Sequence, residues 1–340
     1  MNKTFLHAAI ALGLAAGAAG QTTLQLEVTT AQGPVVHVVA GATVDYQVTG
    51  LLGGDASQGL CMFAFDAAFD GGPLDPMAAP ASASIQEFVA PRGFNNPAGF
   101  GGTADAGGLL QVGGAMNTIA NQFAPTPSGI VVTGLADGAP EILATGSVTA
   151  PAAAGTYTLS LSGGFANALE SQALAGFWRV RPVEVLAPVS LTIIVLDCGV
   201  QPYCTGKVNS GGCVATIQGS GQASVSGGGA LTLTVSDVIN GQFGMFVFGR
   251  DEAQTPLFGG TLCVAQPLVR ILEPGTSGGT GAFGANCSGS FSRVVDAGFL
   301  ASQGLMLGET IHCQWLYRDR FAPDGTTVGL SEAARFTVCP

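Results

Sequence analysis

The stretch ETIHCQWLYRD, residues 309–319, places Ile311, Cys313, Trp315 and Tyr317 at alternate positions, with His312 and Gln314 between them. Side chains of an extended segment point to opposite faces with period two, so one face here is apolar and the other polar, the pattern of a half-buried strand. A helix would scatter the same residues around its circumference. The period recurs along the chain. LQLEV (24–28) alternates Leu24, Leu26 and Val28 with Gln25 and Glu27, and TVDYQVT (43–49) aligns Val44, Tyr46 and Val48. TYTLSLS (156–162) aligns Tyr157, Leu159 and Leu161, and ALTLTV (230–235) aligns Leu231, Leu233 and Val235. Turn formers separate the runs: Asp70-Gly71-Gly72-Pro73, Asn240-Gly241 and Asp324-Gly325. Only 166–175 and 294–303 admit short helices. Many short strands without β–α alternation predict an all-β protein built of antiparallel sandwiches.

Composition sets the class. A hydrophobic share of 47% excludes a disordered chain, and 340 residues suggest two domains. Charged residues make up only 10%, so exposed faces must be filled by uncharged polar side chains and by the 52 glycines. The formal net charge of −11 disfavours nucleic acids and anionic membranes, which require basic patches. We read the acidity as serving solubility rather than as a binding surface.

The first residues, MNKTFLHAAIALGLAAGAAGQ, carry a basic start at Lys3, an apolar run from Ala8 to Ala19 and small residues before Gln21. They read as a secretory signal peptide over residues 1–20. A membrane anchor would be longer and richer in Leu and Ile than this Ala- and Gly-rich run. The expectation is therefore a secreted or cell-surface protein without membrane insertion.

Export decides how the eight cysteines read, because disulfides persist in oxidising compartments. Zinc is disfavoured: there is no C-x-x-C, and beyond the leader only His37 and His312 remain as imidazole ligands. In PYCTGKVNSGGC (202–213), the Asn209-Ser210-Gly211-Gly212 turn can bring the flanking thiols within disulfide range. Cys204–Cys213 is therefore the best single pair. Cys198, Cys263, Cys287, Cys313 and Cys339 lie in the same half with pairing open, and Cys61 stands alone in the first half. The division falls near DCGVQP: a first sandwich over 21–197 and a cysteine-rich second sandwich over 198–340, jelly-roll or immunoglobulin-like in kind. Residues 91–117 form a glycine-rich excursion, either a binding or lid loop or a wandering surface connection.

LCMFAFDAAFDGGPLDP (60–76), FNNPAGFGGTADAGGLLQVGGAMNTI (94–119) and GTYTLSLSGGFANAL (155–169) resemble a module of secreted proteins of planctomycete-type bacteria, similar in layout to cohesin and carbohydrate-binding-module sandwiches. YCTGKVNSGGCVATI (203–217), GGTLCVAQPLVR (259–270), NCSGSF (286–291) and HCQWLYRD (312–319) resemble a separate C-terminal module of the same proteins. The resemblance implies secretion, two β modules and a protein or glycan partner. It implies no reaction.

Candidate chemistry is sparse. GTSGG (275–279) fits G-x-S-x-G, but Pro274 precedes it and no helix follows, so Ser277 lacks the frame of a nucleophile elbow. GTGAFG (279–284) has no βαβ context and reads as a turn. A glycosidase needs two carboxyl groups roughly 5–10 Å apart. In FDAAFDGGPLD, Asp66 and Asp70 would lie about 13 Å apart on an extended strand, although the turn can return Asp75 towards either. Turn formation, a weak calcium site or catalysis are the readings of these aspartates, in that order. There is no dockerin-type calcium loop and no implied cofactor. Asp251, Glu252 and Asp319 read as solvated or ion-paired loop charges. Among aromatics, Trp315 belongs to a core, whereas Trp178, Phe94 and Phe100 can serve a binding surface, together with Asp66 and Asp75. The sequence thus points to a secreted, non-catalytic recognition, adhesion or surface-assembly protein for an extracellular protein or polysaccharide. The alternative is a carbohydrate-active hydrolase using Asp66 or Asp75.

Overall fold

The computed structural model describes residues 22–54, 59–79, 88–89, 99–116, 134–136, 138–169 and 180–340. Strands dominate throughout, and the chain is all-β with antiparallel sandwich architecture. Contacts cluster into two compact units. One comprises Met1–Val35, Thr43–Val148 and Thr158–Thr192, and the other Val36–Ala42, Thr149–Tyr157 and Ile193–Pro340.

The first half contributes β1 (Thr23–Thr29), β2 (Val35–Val39), β3 (Thr43–Gly53), β4 (Leu60–Phe69), β5 (Phe88–Val89), β6 (Thr103–Asp105), β7 (Gly108–Met116), β8 (Glu141–Thr149), β9 (Gly155–Leu169), β10 (Val180–Val185) and β11 (Leu191–Leu196). The hydrogen-bonded path runs β5-β7-β4-β9-β10-β1-β3-β8. The β5–β7, β7–β4, β4–β9, β9–β10 and β1–β3 ladders are antiparallel, and β1 pairs with β10 in parallel. The period-two reading holds: Leu24, Leu26, Val28, Val44, Tyr46 and Val48 are all buried, with Gln25, Glu27, Asp45 and Gln47 on the opposite faces.

Two expectations for this half need correction. Much of the glycine-rich excursion is regular structure: Gly99–Gly101 form a 3-10 turn and Thr103–Met116 a β hairpin whose second strand pairs with β4. Glycine is used there for close approach. A Cβ at Gly113, whose φ is +151°, would lie 2.1 Å from the carbonyl oxygen of Phe63. Nor is 166–169 helical, since those residues close β9.

The second half contributes β12 (Gln201–Tyr203), β13 (Thr216–Ser220), β14 (Leu231–Val238), β15 (Phe243–Gly249), β16 (Glu252–Leu257), β17 (Gly260–Val264), β18 (Val269–Thr276), β19 (Gly289–Val295), α1 (Ala297–Gln303), β20 (Thr310–Arg318) and β21 (Val328–Thr337). A five-stranded sheet, β12-β21-β20-β15-β18, faces a three-stranded sheet, β13-β14-β19. Between them lies a core of Leu231, Leu233, Val235, Phe246, Phe248, Phe291, Trp315 and Phe336. Helix α1 falls inside the 294–303 window. Asp296 caps it by accepting from the Phe299 amide at 2.7 Å, and Gly304 ends it in the left-handed conformation.

Strand β20 departs from its half-buried reading, because its polar face is buried as well. The β16–β17 hairpin lies over it, with Val247, Leu262 and Val264 forming a second small core. Gln314 is 0% exposed: its amide nitrogen donates to the carbonyls of Thr261 and Ser331, and its oxygen accepts from the Cys263 amide. His312 sits on the same face, its Nδ1 3.1 Å from the Tyr203 hydroxyl.

The disulfides are Cys198–Cys339, Cys204–Cys263 and Cys213–Cys287, with Cα separations of 6.1, 6.4 and 6.4 Å. The expected Cys204–Cys213 pair does not form. The hairpin closes at the Val208–Val214 bridge, with the Asn209 amide donating to the Cys213 carbonyl at 2.8 Å. Cys204 is left four residues before that bridge, where it meets Cys263 on β17. Gly211 clears the approach of Cys287, whose sulfur would lie 2.6 Å from any Cβ there. Cys61 and Cys313 are unpaired and buried. Burial pushes both thiols up to about 12, so they stay protonated and unreactive at neutral pH.

Candidate functional site

The sequence-derived candidates separate into three kinds. Asp66 is a clamp within the sheet. It lies where β4 shifts register against both β7 and β9, and its Oδ1 accepts the amide of Gln111 at 2.9 Å. Gln111 has a φ of +58°, a conformation in which L residues are rare and which this bond helps to hold. Asp70 accepts the Thr158 amide at 2.7 Å and so ties the turn after β4 to β9. Phe100 packs edge-on against the buried Phe63, with ring centroids 5.9 Å apart, and is a packing ring rather than an exposed platform. Phe94 and Trp178 lie outside the described residues.

Asp75 is different. After the turn at Gly71-Gly72 the chain runs along β8, where Ala78 and Thr145 exchange two backbone hydrogen bonds of 2.8 Å. This carries Asp75 to a groove of about 550 Å³ where β3 and β8 meet, with Thr29, Asp45, Tyr46, Gln47 and Ser147 also along its walls. Asp45 and Asp75 are exposed, and neither carries a hydrogen bond or an ion pair among the described residues. Tyr46 is only 4% exposed, yet its hydroxyl has no hydrogen-bond partner. The hydroxyl rests over Gly146, where a Cβ would lie 2.4 Å from it. Burial, with the charge of Asp75 second, pushes the phenol up to about 12.

Alternation marked Tyr46 as a core residue and gave no sign that its hydroxyl would lack a partner. Asp45 was invisible for the opposite reason: an exposed carboxylate on a strand is an ordinary solvated charge. That Asp75 reaches the same groove depends on the Ala78–Thr145 bridge, which joins segments 67 residues apart.

The remaining candidates are structural. Ser277 is buried, its hydroxyl donating to the Ile239 carbonyl at 2.7 Å and accepting from the Gln242 amide at 3.0 Å. The turn after it is organised by Asn240, which binds the carbonyls of Thr280 and Ala282 and the amides of Ala285 and Asn286. Asp319, expected in solvent, is buried and accepts the Ser210 amide at 2.8 Å. Lys207, the only lysine apart from Lys3, is buried beneath four acceptors: the carbonyls of Phe258 and Val328, the Thr326 hydroxyl and the Asp324 carboxylate. That pairing lowers the Asp324 carboxyl to about 2. Glu273 is likewise held, by the Trp315 indole N–H and Arg293, each at 2.9 Å. A second groove, in the cysteine-rich half, is apolar and lined by Phe243, Met245, Phe258, Leu272 and Leu316. Among the described residues no three His, Cys, Asp or Glu side chains converge as metal ligands, and no helix is long and apolar enough to cross a membrane.

No protein-family model matches the sequence, and no curated protein matches it. Among solved structures, the chain is similar to the seventh type I cohesin of a Pseudobacteroides cellulosolvens scaffoldin, at 11% identity over 51% of this chain and 92% of that one, with a TM-score of 0.30. A non-cellulosomal cohesin from Archaeoglobus fulgidus aligns at 10% identity over 52% and 93%, TM-score 0.29. The 35 kDa C-terminal fragment of the major pilin of Streptococcus agalactiae aligns at 11% identity over 94% and 92%, TM-score 0.30. No residue role is transferred from these alignments.

Proposed function

We propose that this is a secreted or surface-held, non-catalytic recognition protein of two modules divided near residue 197, whose first, cohesin- or carbohydrate-binding-module-like half engages an extracellular protein. One observation carries the reading: the four aspartates around the β4 turn and the groove are either spent on backbone amides, as Asp66 and Asp70 are, or exposed in an open groove, as Asp45 and Asp75 are. A glycosidase's general acid is a desolvated carboxyl group, and both aspartates on the groove are exposed. Exposed carboxylates beside an unpaired buried hydroxyl are suited to holding a group that supplies hydrogen-bond donors. The three disulfides and the leader-like residues 1–20 support an extracellular setting, and the acidic surface argues against nucleic acid.

The test is incubation of the disulfide-intact protein with a panel of polysaccharides, scoring release of reducing ends, with Asp75→Asn alongside. No release from any substrate is the expected result. Turnover that disappears in Asp75→Asn overturns the reading in favour of a hydrolase.

A further inference from the structure

The β16–β17 hairpin covers only part of the outer face of the five-stranded sheet. Beneath it Val247 and Gln314 are buried. One row further along, the register sets Leu316 on β20 opposite Met245 on β15, and Met245 opposite Leu272 on β18, so three apolar side chains cross the sheet side by side. The row emerges into solvent as it goes. Leu316 and Met245 pack against the small core under the hairpin, whereas Leu272, on the terminal strand of the sheet, is 78% exposed. Phe243, 64% exposed, and Phe258, 46% exposed, flank the row and complete an apolar groove of about 360 Å³. Single exposed apolar residues are ordinary, but a contiguous group around a groove marks an interaction surface.

Two further features point to a ligand. Phe258 and Gly259 form the two-residue turn between the paired Leu257 and Gly260, with φ of +48° and +70°, positions normally given to Asn, Asp or Gly. An aromatic ring there runs against the backbone's preference. The Phe258 carbonyl accepts from the Lys207 ammonium at 2.7 Å and from the Thr326 hydroxyl at 3.1 Å, so the turn that offers the ring is already ordered and loses little freedom on binding. The second feature is charge. Arg318 is the only charged side chain on the groove, exposed and without a hydrogen bond or ion pair among the described residues. Arg270 on β18, opposite Val247, is equally exposed and unpaired, on the other side of the apolar row.

We infer that this groove docks an extended segment of a partner protein that carries an apolar side chain and, two residues along, a carboxylate: the apolar group against Leu316, Met245 and Leu272 beside Phe258, the carboxylate on Arg318. Alternate residues of an extended chain face one way about 6.6 Å apart. Leu316 and Arg318 have that spacing on β20, so a segment laid along the strand meets both. A guanidinium binds a carboxylate bidentately, and Arg270 can take a second one on the far side of the apolar residue. Screening acts over about 8 Å at physiological ionic strength, so these arginines, not the net charge of −11, set the field at the groove. Seven of the chain's eleven lysines and arginines lie after residue 200. A neutral glycan, which asks for many hydrogen-bonding partners, would meet mostly hydrocarbon here. The surface belongs to the second half and does not depend on the reading of the first.

The probe is a blocked peptide, acetyl-Gly-Phe-Ser-Glu-Gly-amide, titrated into the full disulfide-intact chain and followed by NMR at the methyl groups of Met245 and Leu272. Both should shift saturably. Replacing Phe by Ala in the peptide should weaken binding at least about tenfold, and replacing Glu by Gln about three- to fivefold at low salt. The preference for Glu should vanish in Arg318→Gln and shrink as salt rises. Leu272→Ser should weaken binding about fivefold while leaving the unfolding midpoint where it is, because the side chain is exposed. No saturable shift, a preference for Glu that survives Arg318→Gln, or a lower midpoint in Leu272→Ser overturns the proposal. Phosphatidylglycerol vesicles and sedimentation of the chain alone supply the rivals. Vesicle binding lost in Leu272→Ser would make this a lipid-binding face, self-association lost in the same variant a contact between copies, and either result overturns the assignment. None of these outcomes touches the reading of the first half, which polysaccharide release with Asp75→Asn tests separately.

Discussion

The two halves of the chain differ in how they hold their polar groups. In the cysteine-rich half, the most buried ones are gathered into internal networks: Lys207 by four acceptors, Gln314 by three backbone groups, Glu273 by an indole and a guanidinium. Three disulfides then lock that arrangement. The first half has no disulfide, leaves Cys61 as a thiol, and holds its irregular turns with single aspartates on backbone amides. Among the described residues it also leaves the Tyr46 hydroxyl and the carboxylates of Asp45 and Asp75, all three residues lining one groove, without a hydrogen bond or ion pair. The second half also leaves two buried atoms, Arg293 Nε and Asp319 Oδ1, without a partner, but neither residue lines its apolar groove, whereas Tyr46, Asp45 and Asp75 all line the groove of the first half.

The sharpest way to break this contrast is to remove the closure. Cys213→Ser with Cys287→Ser opens a cross-link spanning 74 residues and should cost about 2–4 kcal/mol, read from denaturant unfolding. A Cys204→Ser variant should also leave Cys213 disulfide-bonded by peptide mapping, because its partner is Cys287. Gly113→Ala tests whether the glycine-rich segment truly belongs to the sheet of the first half. A methyl group 2.1 Å from the Phe63 carbonyl, at a φ that L residues avoid, should cost about 3 kcal/mol. A loop would tolerate the change, and unaltered stability would return the segment to that class.

Lys207→Met removes the one buried ammonium and strands its acceptors, at about 1–2 kcal/mol. Because the Asp324 carboxyl is lowered from 3.8 to about 2, the pair contributes above pH 4, and its contribution fades between about pH 4 and 2. The difference between wild type and Lys207→Met should narrow over that range of acid unfolding curves. In the first half the two aspartates should part company. Asp66→Ala should cost about 1 kcal/mol through the freed Gln111 amide, whereas Asp75→Asn should stay within about 0.5 kcal/mol. Equal losses would mean that Asp75 is structural too.

What was legible in the sequence follows from range. Period two and turn residues are local, so the strands around Leu26, Tyr46, Leu233 and Trp315 and the all-β class could be read directly. Asn209 and its glycines marked a real hairpin, yet where that hairpin closes decides which thiols meet, and the wrong partner for Cys204 followed from counting residues between cysteines. Gln314 looked solvent-facing because nothing near it in sequence announces the β16–β17 hairpin that covers it. Phe100 and the glycines up to Gly114 looked like a loop because glycine signals a turn and close backbone packing equally well. The groove needed the most distant information. Asp75 was singled out, but Asp45 and the orphaned hydroxyl of Tyr46 acquire meaning only once the chain after Asp70 has crossed to β8.

The smallest effect separates the covered face of β20 from an ordinary exposed strand face. Burial pulls the His312 imidazole below its ordinary value of 6.5, outweighing the nearby Glu252 charge that raises it. The Tyr203 hydroxyl donates to the Cys263 carbonyl at 2.7 Å, so it can only accept from His312, which places the imidazole proton on Nδ1 and leaves Nε2 to be charged. As pH falls through about 6.5, the unfolded chain takes up this proton before the folded one does. The group therefore costs nothing above that pH, destabilises progressively below it, and levels off once the folded imidazole is protonated as well. Stability measured at intervals from pH 8 to 5 should show this downward slope in the wild type and a shallower one in His312→Gln, whose side chain does not titrate. Parallel slopes would mean that the hairpin opens readily enough for water to reach His312, and the contrast between a sealed second half and an open groove in the first would lose one of its supports.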